Sequence, residues 1–363
     1  MKKILLNLNE INPGMTTAAP VLSNNNQVIL QEGTKLTSHI INLLHKRRIK
    51  SLYVQRPAPA VNKTYEQLAP YIPNNNLINC KYFSEKYSKA SIKAGGLFEY
   101  MRYNEQVPFN ALRQLSEHDL YGLVQEPNPL CCLYKLKPPV DYTYLHSIDV
   151  GIIAGMIGLW CGFSEKIIKT LILAGLMHDI GKSQIPYSLL NKTANPNSNE
   201  MEILRLHTTY GYYMTKDNPD ITEDIQFAIL QHHERENGSG YPDNLPSHKI
   251  HPFAKILAIA DVYDALTSNR VYKKSITPFA ALEILADEMF IHFDCDYCRL
   301  FIRHATQALI KSTVLLSDET QGEVQYFSTF MSIKPVLRKE NGSIVDLNYT
   351  TNARIVEIVK FNE

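Results

Sequence analysis

Hydrophobic positions along this chain change period twice. Over residues 1–55 apolar and polar positions alternate in short runs around turn signals such as Asn12-Pro13-Gly14. An amphipathic stretch, Leu36–Lys46, and a short apolar strand, Ser51–Val54, follow, which is the pattern of a small mixed α/β module. Residues 56–85 carry Pro57, Pro59, Pro70, Pro73 and the run Asn74-Asn75-Asn76, and read as an irregular connection. From residue 86 to 315 the period is helical. Helix starts are marked by Ser164 before EKIIKTLILAGLMHDI, Ser198 before NEMEILRLHTTYGYYM, Thr222 before EDIQFAILQHHER and Thr277-Pro278 before FAALEILADEM. Each supplies a capping oxygen or a preset first-turn φ. After Ser317 short strands return in GEVQYF, SIKPVLRK and ARIVEIV, with a turn at Asn341-Gly342. The predicted fold is mainly α: an all-helical core, 141–315, preceded by an α/β module with its connection, 1–85, and linking helices, 86–140. A short β-rich tail, 316–363, closes the chain.

Composition narrows the function classes. At 363 residues, with 45% hydrophobic and 20% charged residues, the chain reads as a soluble globular protein of more than one domain. Lys+Arg of 37 against Asp+Glu of 36 gives no bulk field for a nucleic-acid polymer, so any phosphate must be held locally. The 21 tyrosines are scattered rather than arrayed as a stacking platform, which also argues against single-stranded nucleic acid. The opening MKKILLNLNEINPG is broken by Asn7 and Asn9 and does not read as a secretory signal. The longest apolar stretch, Val150–Phe163, is shorter than the roughly 20 residues that span a bilayer. The expectation is a cytoplasmic protein without membrane insertion. Cys80, Cys131, Cys132, Cys161, Cys295 and Cys298 show no disulfide-framework spacing and are expected to be reduced thiols.

The chemistry concentrates in the helical region. His178-Asp179 ends an apolar helix and is followed by Ile180-Gly181-Lys182; the carboxylate, with two oxygens, can ligate one metal and bridge to a second. Gly181 is expected to end that helix in a left-handed conformation and to let Lys182 reach toward whatever the metals hold. His146, His207, the adjacent pair His232-His233, and Asp261 lie in similar apolar helical contexts, where a lone ionisable group is costly unless paired or metal-bound. Five His and two Asp without thiolate suit a pair of divalent ions, and the ligand types do not choose among Fe, Mn, Ni, Co and Zn. Adjacent His232 and His233 diverge by about 100° on a helix and can address different ions. Two metals about 3.5–4 Å apart suit phosphoester hydrolysis.

The runs HDIGK at 178–182, HHERENGSGYP at 232–242 and ADVYDALTSNRVYKK at 260–274 resemble those of the HD-GYP phosphodiesterases, over roughly residues 140–315. The resemblance implies an α-helical HD fold, with 141–315 as the catalytic domain. It also implies a centre of two divalent ions of the Fe or Mn kind, and hydrolysis of cyclic di-GMP to pGpG, GMP or both by a binuclear metal-hydroxide mechanism. By position, His146, His178, Asp179, His207, His232, His233 and Asp261 match the metal ligands, with Asp179 bridging. Lys182 matches the lysine on the scissile phosphate; Tyr241, in Gly240-Tyr241-Pro242, faces the ligand; and Arg270 and Lys273 help hold the dinucleotide. Some members carry a Glu four residues before the first His that supports a third metal, whereas Tyr142 stands here, which favours two ions. The usual Trp-Asp after HHER is Glu236-Asn237, which bears on the loop near the substrate. The N-terminal module, with INPGM at 11–15 and QEGTKLTSHIINLL, also resembles that of stand-alone members, and a signalling partner acting through it and a homodimer are further expectations. Two alternatives stay open: a phosphohydrolase for another cyclic dinucleotide, and a non-catalytic cyclic di-GMP sensor or scaffold.

Other candidates read as structural. Cys295 and Cys298 near His292 lack a second ligand pair at zinc-finger spacing, and Asp294 reads as the N-cap of the helix that carries both thiols. His248 and His251 flank Pro252 at a helix start and read as polar loop residues.

Overall fold

The computed structural model describes residues 3–8, 11, 15–22, 28–47, 49–55, 80–104, 106–136, 143–190, 192, 194–268, 275–328, 333–350 and 353–361. The chain divides into two compact units, Met1–Asn75 with Phe290–His292, and Asn76–Met289 with Phe293–Glu363.

In the first unit, strands β1 (Lys3–Asn7), β2 (Thr16–Thr17), β3 (Val21–Leu22) and β4 (Val28–Leu30) precede helix α1 (Ser38–Lys46) and strand β5 (Ser51–Gln55). β5 is central in an antiparallel sheet of order β1-β5-β2, with Leu5 opposite Tyr53 and Thr17 opposite Val54, while β3 and β4 pair separately. Thr37 caps α1, its hydroxyl accepting the Ile40 N–H at 3.2 Å. Leu36, Ile40 and Leu44 recur every fourth residue, so one face of α1 and the turn before it meets Leu52 and Val54 in a shared apolar core. The small α/β module expected from the sequence is thus formed.

The second unit is helical and then sheet-forming. It begins with α2 (Cys80–Asn104) and α3 (Phe109–Gln114), which runs through a π-helical turn, Leu115–Leu120, into α4 (Tyr121–Val124) and then α5 (Pro129–Leu136). There follow α6 (Thr143–Trp160), α7 (Glu165–Met177), a 3₁₀ turn (Ile180–Gln184), α8 (Tyr187–Leu190), α9 (Ser198–Arg205), α10 (His207–Thr215) and α11 (Glu223–Gln231). Beyond a 3₁₀ turn at Ser247–Lys249 come α12 (Pro252–Thr267), α13 (Pro278–His292) and α14 (Cys295–Ala308). The antiparallel sheet that ends the chain has the order β10-β6-β7-β8-β9, from β6 (Thr313–Leu316), β7 (Gln321–Phe327), β8 (Pro335–Lys339), β9 (Ile344–Asp346) and β10 (Ile355–Lys360). The mainly helical class, with small strand modules at both ends, is as expected. Among the described residues no helix is long and apolar enough to cross a membrane.

Helix boundaries follow local capping chemistry. Ser164, Thr277 and Asp294 cap α7, α13 and α14, each side chain accepting first-turn backbone N–H groups. Thr222 sits at the N-cap of α11 without a side-chain cap bond. Ser198 is not the cap of its helix: Asn197 is, because Glu200 three residues on completes a capping box with it. Helices α6 and α7 pack closely because Gly151 and Gly175 face each other; a Cβ on Gly175 would stand 2.9 Å from the Gly151 nitrogen. This contact brings the start of α6, with His146, beside the end of α7, with His178, their ring centroids 5.2 Å apart.

The expectation that all cysteines are free thiols is corrected. Cys80 opens α2 and Cys132 lies in α5; helix packing brings their Cα atoms to 5.5 Å, and they form a disulfide across a sequence separation of 52. Such a pairing leaves no mark in spacing. Cys131, Cys161, Cys295 and Cys298 are free, and burial pushes the Cys131 and Cys295 thiols up to about 12. Cys295 and Cys298 turn their sulfurs toward the carbonyls of Met289 and Leu285, an ordinary packed arrangement.

Candidate metal centre

Each histidine of the expected set sits where a helix begins or ends. α7 stops at Met177, His178 takes the C-cap, and Asp179 leaves helical geometry at φ −102°, ψ 9°. The Lys182 N–H then returns to the Asp179 carbonyl at 2.9 Å, closing the 3₁₀ turn. Gly181 does not adopt the left-handed conformation expected of it, since positive φ among the described glycines occurs elsewhere. Its role is close approach: a Cβ there would collide with the His207 carbonyl oxygen and stand 2.5 Å from the Gly211 nitrogen. The turn therefore rests directly on the start of α10, which carries His207. His232 is the C-cap of α11, and His233 follows it into the loop.

These side chains converge. His146, His178 and Asp179 place one ligand atom each within 4.8 Å of one another, and so do His207, His232 and His233. The two groups are joined by carboxylates. Asp179 turns Oδ2 toward His146 Nε2 at 3.7 Å and His178 Nε2 at 3.3 Å, and Oδ1 toward His207 Nε2 at 3.3 Å. Asp261 on α12 likewise divides its oxygens, Oδ1 lying 3.2 Å from His146 Nε2 and Oδ2 lying 3.8 Å from His233 Nδ1. His207 Nε2 and His232 Nε2 approach to 3.3 Å.

Three of the rings are locked in the same way. His178, His207 and His232 each direct Nδ1–H at the carbonyl three residues earlier, Gly175 at 2.7 Å, Leu204 at 2.7 Å and Ile229 at 2.8 Å. The Nε2 lone pair of each is thereby turned inward. His146 is held differently, its Nδ1 lying 2.7 Å from Oδ2 of Asp264, a buried carboxylate the sequence reading did not single out. The only signal for it was its place one helical turn beyond Asp261.

The electrostatics suit a cation. Burial holds His207 below the usual imidazole range and drives His232 and His233 well below it, the neighbouring rings adding to the effect, so these rings are neutral and keep free lone pairs near pH 7. For Asp179 burial opposes the charge, but His178, Lys182 and His207 outweigh it and hold the carboxyl well below its usual range. Asp261 behaves alike under burial opposed by His146 and His233. His178 Nε2 and Asp179 Oδ1 are buried and make no hydrogen bond among the described residues, although each faces the cluster. Buried polar atoms aimed at one another without donated protons are what a cation would satisfy, so this donor set fits divalent metal.

The loop after His233 folds over the cluster. Glu234, buried, accepts the N–H groups of Asp243 at 2.8 Å and Leu245 at 3.0 Å. Glu236, at the position where the sequence departs from the HD-GYP pattern, accepts from the Ser247 hydroxyl and pairs with Lys255 at 3.0 Å. That departure therefore serves to fasten the loop. Tyr241 sends its N–H to the His233 carbonyl and stacks its ring on His233, with centroids 4.6 Å apart, while the Arg205 guanidinium lies 5.1 Å from the Tyr241 centroid. Lys182 is ion-paired with Asp179 Oδ2 and is partly exposed. His251 caps α12 and pairs with Asp224 rather than with the cluster. Tyr142, Arg270 and Lys273 lie outside the described residues.

Residues 134–296 match the HD domain family. The cyclic di-GMP phosphodiesterase PA4108 of Pseudomonas aeruginosa is 32% identical over 216 residues, covering 60% of this chain and 52% of its own length. The cyclic di-GMP phosphodiesterase response regulator RpfG of Xanthomonas campestris pv. campestris is 39% identical over 134 residues, 37% of this chain and 35% of its own. The 3'3'-cGAMP-specific phosphodiesterase 1 of Vibrio cholerae is 33% identical over 149 residues, 41% of this chain and 34% of its own. The chain thus matches about half or less of the length of these relatives. The match of residues 134–296 to the HD domain family and these relatives bear out the resemblance to HD-GYP phosphodiesterases carried by the runs at 178–182, 232–242 and 260–274.

Proposed function

We propose that this chain is a metal-dependent phosphodiesterase that hydrolyses cyclic di-GMP to pGpG, GMP or both, with residues 141–315 as its catalytic domain. The observation that carries the reading is Asp179, whose two oxygens face two separate groups of imidazoles, an arrangement in which one carboxylate could serve two ions. His146 and His178 would hold one ion, His207, His232 and His233 would surround the other, and Asp261 would serve both sides. When bound, two divalent ions, Fe or Mn by resemblance, supply Lewis acidity toward a phosphoryl group and a water of lowered pKa.

The remaining work falls to the chain itself. Lys182, partly exposed beside Asp179, is placed to take a non-bridging phosphate oxygen and neutralise charge as it builds up. Tyr241 would lie along the dinucleotide, its hydroxyl kept protonated by burial, so that it retains a proton to donate. Arg270 and Lys273 are assigned to the dinucleotide phosphates on the sequence resemblance. The near-neutral overall charge agrees with such local recognition and with a ligand that is not a nucleic-acid polymer.

The test is incubation of Mn²⁺- or Fe²⁺-loaded protein with a panel of cyclic di-GMP, cyclic di-AMP and 3'3'-cGAMP, with products resolved by chromatography. Preferential loss of cyclic di-GMP with appearance of pGpG or GMP is expected. Turnover of another member of the panel without cyclic di-GMP would overturn the substrate assignment. Binding of cyclic di-GMP without turnover would make the chain a sensor.

A further inference from the structure

One helix sets a carboxylate beside each nitrogen of the His146 imidazole. α12 places Asp261 and Asp264 one turn apart on the same face. Asp261 Oδ1 stands 3.2 Å from Nε2 and Asp264 Oδ2 stands 2.7 Å from Nδ1. A carboxylate only accepts, so the proton between Asp264 and the ring is the Nδ1–H, and the Nε2 lone pair is the one left to face Asp179 and the cluster. Asp264 is fully buried, and its other oxygen accepts the Ser268 hydroxyl at 3.0 Å. The contrast with His178, His207 and His232 is chemical. Those rings lean on neutral backbone carbonyls that any residue would provide, whereas His146 leans on an anion that only a particular side chain provides.

We propose that Asp264 is a positioning residue of the metal centre: it fixes His146 as the Nδ1–H tautomer, aims Nε2 inward and, through its negative charge, strengthens His146 as a ligand. The inference rests on the metal reading of the cluster but not on the identity of the substrate. Asp264 would act through His146, whose Nδ1 it holds. Asparagine at this position keeps the size, loses the charge, and can turn its amide N–H groups toward Nδ1, which would move the ring proton to the nitrogen that must be free.

Co²⁺ titration of the metal-stripped full chain, followed by visible absorption, reads this directly. Asp264→Asn is expected to weaken Co²⁺ binding by about 10- to 100-fold, the range for partners that orient a ligating histidine. In a His146→Ala background the same change is expected to add little, because the two residues act as one unit. Ser268→Ala, which leaves the carboxylate in place, is expected to cost less than Asp264→Asn and keeps the comparison available should the asparagine variant fold poorly. Wild-type Co²⁺ affinity in Asp264→Asn would overturn the inference alone, as would equal losses with and without His146, or equal losses from Ser268→Ala and Asp264→Asn. Failure of the unsubstituted chain to bind Co²⁺ would overturn the metal reading and this inference with it.

Discussion

Two regions of the second unit meet at the cluster, and they orient their histidines by different means. The helix-end region, made of the last turns of α7, α9 and α11, holds His178, His207 and His232 through carbonyls three residues away. The α6–α12 region holds His146 through Asp264, 118 residues further along the chain. In the first region a ring is aimed as soon as its helix stops. In the second it is aimed only once two distant helices have packed. Local orientation tolerates loosened tertiary structure; long-range orientation does not.

Asp179 belongs to both regions through its two oxygens, so its loss should have the largest effect. Asp179→Ala is expected to remove measurable hydrolysis while circular dichroism stays close to that of the unsubstituted protein; turnover equal to that of the parent would refute the bridging assignment. Next in size is the effect of metal on stability. An ion that binds only the folded chain, supplied at about 100-fold over its dissociation constant, should add about 2.7 kcal/mol to the unfolding free energy. Chelation should reverse this, and a denaturation midpoint that ignores both would sink the claim that the two regions are joined by metal. Gly181→Ala attacks the helix-end region alone, by forcing a methyl group against the start of α10. It is expected to cost about 1–3 kcal/mol in urea unfolding, as overpacking does, and to lower metal affinity through His207. Asn197→Ala removes the capping box at the first turn of α9, the end away from the Leu204 carbonyl that holds His207. About 1 kcal/mol of stability should be lost with metal affinity intact, and a metal effect of the size seen in Gly181→Ala would blur the distinction.

The same contrast explains what could be read from the sequence. Apolar helical runs that stop on an ionisable pair, as in LILAGLMHD and FAILQHH, announce the helix-end histidines because the helix period and the anomaly at its end are both local. His146 and Asp261 were legible by their apolar surroundings, but the Asp264 contact was not, since nothing local ties residue 264 to residue 146. The fastening of the loop by Glu234 and Glu236 was hidden for the same reason, as was the Cys80–Cys132 disulfide. Local signals also misled twice. Asn197 and Ser198 are both good caps, and only Glu200 decides between them; and a glycine after a helix end invites a left-handed reading, whereas Gly181 is required by the proximity of another helix.

On α6, one turn beyond His146, the buried carboxylate of Asp149 accepts a hydrogen bond from the Tyr87 hydroxyl on α2 at 2.6 Å. Burial and that carboxylate push the Tyr87 hydroxyl well above the usual phenol range, so it remains a donor throughout the physiological pH range. Tyr87 lies upstream of residue 134, where the HD domain match begins. Excising the domain at that border would therefore strip a buried anion of this donor on the helix that carries His146. A minimal fragment intended to fold and take up metal has to start no later than α2.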